Sequence, residues 1–182
     1  MYDAGEAVTA GTHQRNIMAS PAMRGLLYAT VALVLTVIHV VFLGFVAFGI
    51  VTPDLLMILV VWIALEEGQF TATIAGFAIG LLYDAAGADV LGSNALAKTA
   101  AGFAAGYFYR PGMGRTTIGS YRFLLIVFAA GLVHNLLYFT LYVQPMQVSF
   151  WQFVITFGFA TTFYTTVVAV FPMLYVNRKK EW

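Results

Sequence analysis

The sequence predicts an all-α integral membrane protein of six transmembrane helices, several of them short. Three observations lead there. The chain of 182 residues is 61% hydrophobic and only 9% charged, whereas an ordinary soluble domain is about a quarter charged. Its apolar runs are separated by short polar corners, and no stretch between them is long enough to build a soluble domain. Finally, every Lys and Arg except Lys98 falls on one side of a six-span arrangement: Arg15 and Arg24, then Arg110, Arg115 and Arg122, then Arg178, Lys179 and Lys180. The positive-inside rule makes that side cytoplasmic and puts both termini on it. Glu66-Glu67 runs against the trend, but acidic residues count little in this rule. A net charge of +1 gives no hint of nucleic acid, and the absence of Cys excludes disulfides, thiolate metal sites and Cys nucleophiles.

In chain order, residues 1–24 are polar and aperiodic and read as a poorly ordered cytoplasmic tail. Residues 25–177 form a single membrane domain, and 178–182 a short basic tail. Gly25 to Phe48 is uncharged and long enough to span. No small-residue cleavage site stands out after it, so it reads as a retained helix. His39 lies inside it and reads as a hydrogen-bonded structural residue. Thr52-Pro53-Asp54 is a helix start: Thr52 can cap, Pro53 fits the first helical position and Asp54 suits the positive end of the dipole. The apolar run Leu55 to Leu65 that follows measures roughly 17 Å, short of a ~30 Å hydrocarbon core. It must extend through its flanks, sit in thinned bilayer or be sheltered by neighbours. Phe70 to Tyr83 is also short.

The hairpin from Gln69 to Tyr109 organises the chain. Its first segment carries Ala72, Gly76 and Gly80 at spacing four; its second carries Ala97, Ala101 and Ala105 beside Gly102 and Gly106. Such small-residue faces let two membrane helices approach closely. The corner between them, with Asp84, Gly92 and Asn94, lies on the outer face. Asp84 ends one helix and Lys98 begins the next, so each sits at the disfavoured end of its own dipole. An ion pair between them would offset both penalties; the alternative is that Lys98 snorkels alone. Gly92 to Thr99 nearly matches a phosphate-binding loop, but Ala97 replaces its second Gly and no strand precedes it, so no nucleotide site is expected.

Two further spans, Phe123 to Val143 and Phe150 to Val176, are separated by Gln144-Pro145-Met146-Gln147. Pro172 should end or kink the last one. His134 and Asn135 knit helices together or form an intramembrane polar site, the former being the more common role. No nucleophile–base constellation or paired-His spacing is visible. No enzyme activity, cofactor or metal is expected.

Val51 to Gly106 resembles the rod shape-determining protein MreD family. The matching residues are Thr52-Pro53-Asp54-Leu55-Leu56, the end of that run at Trp62-Ile63-Ala64-Leu65, Gly76-Phe77, Gly80-Leu81-Leu82-Tyr83-Asp84, Leu91-Gly92 and Ala95-Leu96-Ala97. The resemblance implies a multi-pass protein of the bacterial inner membrane and a non-catalytic subunit of the cell-elongation complex. It implies direct association with MreC. MreB filaments, RodA and its penicillin-binding transpeptidase partner would belong to the same complex, and membrane lipids would surround the chain. On that reading Asp84 and Lys98 are partner-binding candidates, beside the point where MreC leaves the membrane. The family is similar in fold to the membrane substrate-binding subunits of energy-coupling-factor vitamin transporters. The alternative is therefore a small-molecule-binding transporter subunit. That alternative calls for an outer-face cavity lined by several polar groups, for which Asp84, Asn94, Lys98 and His134 are available.

Overall fold

The computed structural model describes residues 20–42, 51–87, 90–142 and 154–178, and every regular element in them is helical. In chain order these are α1 (Pro21–Phe42), α2 (Leu55–Glu67), α3 (Gln69–Ala86), α4 (Ser93–Gly106), α5 (Gly114–Ile118) and α6 (Tyr121–Tyr142). A π-helical turn (Val154–Gly158) then leads into α7 (Phe159–Val168) and α8 (Val170–Arg178). Among the described residues three stretches are long and apolar enough to cross a membrane: Pro21–Val41, Tyr121–Leu141 and the run Val154–Arg178.

The short helix α2 lies at the centre. Leu55 to Leu65 has no polar face, and a helix that is apolar all round is stable only when covered all round. Leu56 to Val61 and Ile63 to Leu65 are buried, and α1, α3, α4, α5, α6 and α7 all touch it. Its 13 residues are sheltered by neighbours. A single residue, Gly68, links it to α3; its φ of 94° is one that L side chains avoid.

The seam between α3 and α4 is made by glycines set on the facing backbone. A Cβ at Gly80 would stand 2.5 Å from Ala95 Cα, and one at Gly102 would stand 2.6 Å from the Ala72 carbonyl oxygen. Carbon atoms in contact need about 3.5–4.0 Å. Gly76 lies in the same way on the Lys98 carbonyl, and Gly106 on Gln69. The Gln69 side-chain amide donates to the Phe103 carbonyl at 3.0 Å.

The start of α2 departs from the sequence reading, and the last span follows it at Pro172. α2 is capped by Asp54, whose Oδ1 accepts the Met57 N–H at 2.9 Å. Thr52 is therefore not the cap, and Pro53 precedes the helix instead of filling its first position. A carboxylate three residues before an orphan N–H is in register for the cap, and the Thr52 hydroxyl, five residues away, is not. The connector after α4 contains α5, which tucks under the end of α2: a Cβ at Gly114 would stand 2.7 Å from the Leu65 carbonyl oxygen. The last span divides at Ala169, three residues before Pro172. Pro172 has no N–H for the Val168 carbonyl, and its ring crowds that oxygen. The break at Gln144-Pro145-Met146-Gln147 and both chain tails lie outside the described residues.

Candidate functional site

One end of the bundle, where α2 and α4 begin and α3 ends, is built on Asp54. Its Oδ1 caps α2, and its backbone N–H donates to Thr165 Oγ1 at 2.9 Å. Thr165 in turn donates to the Thr161 carbonyl of its own helix. Asp54 Oδ2 accepts from Lys98 Nζ at 2.5 Å and lies 3.6 Å from His134 Nε2. The Lys98 side chain is 1% exposed and that of Asp54 14%. An ammonium this deeply buried needs an opposite charge and further polar contacts. Asn94 Oδ1 stands 3.4 Å from Nζ, and the Tyr83 ring centroid 5.5 Å away supplies a cation–π contact.

The ion pair expected between Asp84 and Lys98 is thus replaced by one between Asp54 and Lys98. Asp84 is engaged elsewhere. Its Oδ2 accepts the N–H groups of Gly92 at 2.9 Å and Ala95 at 3.2 Å, and its Oδ1 accepts that of Asn94 at 3.2 Å. These N–H groups open α4 and have no partner within that helix. A carboxylate there sits on the positive end of the α4 dipole, which offsets its position at the negative end of α3. Gly92 completes the arrangement with a left-handed φ of 97°. Asp84 and Lys98 are 3% and 1% exposed, so neither presents a surface to a partner.

Beside the ion pair is a cavity of about 230 Å³. Asp54, Asn94, His134 and Asn135 line it together with Thr52 and His39, and Tyr83, Tyr138, Phe139 and Phe157 form its aromatic walls. His39 meets Tyr83 edge-on with ring centroids 4.9 Å apart, and His134 stacks on Tyr138 at 6.0 Å. Asn135 fastens helices: its Nδ2 donates to the Gly158 carbonyl at 3.0 Å and to Thr162 Oγ1 at 2.8 Å. That joins α6 to the π-helical turn and α7, while its neighbour His134 turns to Asp54. With one carboxylate against one ammonium, the site carries no net charge when the histidines are neutral. It offers both donors and acceptors beside ring faces, which suits a small polar molecule without net charge. Asp54 as the hub was missed by sequence reasoning. The available signal was that Asp84 sits before Gly92-Ser93-Asn94, a helix start in need of an anion, which leaves Asp54 for Lys98.

The opposite end is basic. Arg24 pairs with Glu67 at 3.3 Å and the Tyr28 hydroxyl donates to Glu67 at 3.0 Å, tying α1 to the end of α2. Arg115 on α5 and Arg178 at the end of α8 belong to the same end, because α5 packs on Leu65 and Glu66 and α8 reaches α5.

No family model, no curated protein and no solved structure matches the chain.

Proposed function

We propose that the chain is a six-span protein of the bacterial inner membrane and a non-catalytic subunit of the cell-elongation complex. On this reading it binds MreC and helps link MreB filaments to peptidoglycan synthesis. One observation carries the reading. The residues that resemble the MreD family build a single unit: Gly76 and Gly80 set the α3–α4 distance, and Asp84 and Gly92 lock the corner. These residues thus sit in one packed unit, and the proposal rests on their resemblance to the family as a group. Orientation follows from the basic end, where Arg24, Arg115 and Arg178 gather and which the positive-inside rule assigns to the cytoplasm. The polar cavity then opens toward the outer face.

That cavity favours a second reading, a membrane-embedded small-molecule-binding subunit of a vitamin-type transporter, since it unites more polar groups than the sequence alone brought together. Purification from native membranes separates the two. Recovery of a single-span MreC-like partner with elongation proteins is the expected result. Recovery of a pair of nucleotide-binding subunits instead would overturn it in favour of the transporter.

A further inference from the structure

At the basic end, a cleft of about 330 Å³ lies beside the C-terminal turn of α4. Arg110, Arg122 and the hydroxyl-bearing Thr117 line it together with Tyr107, Phe108 and Leu125. Arg24 is held by Glu67. Among the described residues no acidic side chain stands within ion-pair distance of Arg110 or Arg122. Two guanidiniums thus face one cleft without a counter-charge, next to exposed aromatic rings and a Leu that is 62% exposed on the apolar α6. An arginine presents a planar donor fork matched to phosphate oxygens, and the apolar wall continues along a helix long enough to cross a bilayer. A free anion would use only the polar groups of such a cleft. An amphiphile with a phosphate head and acyl chains would use the apolar wall as well.

We infer that this cleft is a binding site for an anionic phospholipid of the leaflet at the basic end, its phosphate between Arg110 and Arg122 and its chain along Leu125. The inference requires only that the bundle sits in a bilayer and stands apart from the MreC reading. Juxtamembrane arginines attract anionic lipid by an amount equivalent to roughly fivefold in occupancy each. The test is native mass spectrometry of the full chain released from nanodiscs holding equal phosphatidylglycerol and phosphatidylcholine. Wild type is expected to retain phosphatidylglycerol preferentially. Arg110→Gln and Arg122→Gln should each reduce that preference about fivefold. Arg178→Gln removes one charge from the same end but outside the cleft and should leave it unchanged. The pair Arg110→Lys with Arg122→Lys keeps both charges and should keep a weakened preference, which guards against a folding defect in the glutamine variants. Equal retention of the two lipids, equal losses in Arg178→Gln, or loss of preference in the lysine pair would each overturn the site. Displacement of the lipid by millimolar inorganic phosphate would overturn it too, by making a free anion the ligand.

Discussion

Lys98→Met removes the ammonium and keeps most of the side-chain volume, leaving the Asp54 carboxylate with its cap bond to Met57 and no cation. Breaking a buried pair by deleting one partner costs about 3–5 kcal/mol, because the remaining charge is uncompensated. Asp54 is 14% exposed on its side chain and borders a cavity, so water can relieve part of that, and the loss should fall near the lower bound. Asp54→Asn strands an ammonium that is 1% exposed and removes a negative charge from the positive end of the α2 dipole, although an Asn side chain can still cap, so it should cost the larger amount. The double variant carries neither charge, and its loss should be smaller than the sum of the two by about 2–3 kcal/mol. The same cycle with Asp84→Asn in place of Asp54→Asn should show a clearly smaller interaction energy, since Asp84 binds backbone N–H groups and reaches Lys98 only through Asn94. The assay is equilibrium unfolding in detergent, followed by circular dichroism. Additivity at Asp54 together with coupling at Asp84 would refute the pairing and restore the corner ion pair.

Gly80→Ala places a methyl 2.5 Å from Ala95 Cα; forcing α3 and α4 apart should lower stability by about 1–3 kcal/mol, whereas Ala78→Leu on the exposed face of α3 should be near neutral in the same unfolding measurement. Asn135→Leu severs the bonds to Gly158 and Thr162 and should cost about 0.6–1.7 kcal/mol, the range for interhelical hydrogen bonds in membranes; an unchanged midpoint would show that they contribute nothing. Single cysteines are easily read in a chain that has none of its own. Ala86→Cys and Met113→Cys should react with an impermeant maleimide from opposite sides of sealed vesicles, and labelling from the same side would defeat the six-span arrangement.

The fold was legible where one residue type decides a position. The uncharged stretches announce α1 and α6, and the small-residue spacing along Ala72, Gly76 and Gly80 announces a helix that something must approach closely. The pairing of charges was harder, because it depends on three-dimensional distance between elements remote in sequence: Asp54 and Lys98 are 44 residues apart, whereas Asp84 and Lys98 share a corner. Local proximity favoured Asp84, and the open amides of α4 claimed it first. Asn135 could be recognised as a polar group needing partners, but the π-helical turn that supplies the Gly158 carbonyl leaves no periodic trace in a uniformly apolar run. The cavity was the least legible, since its lining comes from α1, the segment that caps α2, α3, α4, α6, the π-helical turn and α7, and no two of those define it.

The way α2 is enclosed bears on how the chain can be made. A 13-residue helix extends about 20 Å, too little to settle across a bilayer by itself as it leaves the ribosome. Gly68 alone separates it from α3, and the helices that complete its enclosure, α4, α6 and α7 among them, come later in the chain. The lodging of α2 and α3 then depends on α4, whose glycines close on α3 only after the Asp84 corner has turned. A defect at that corner would therefore strike during synthesis, before any assembled bundle exists to be destabilised.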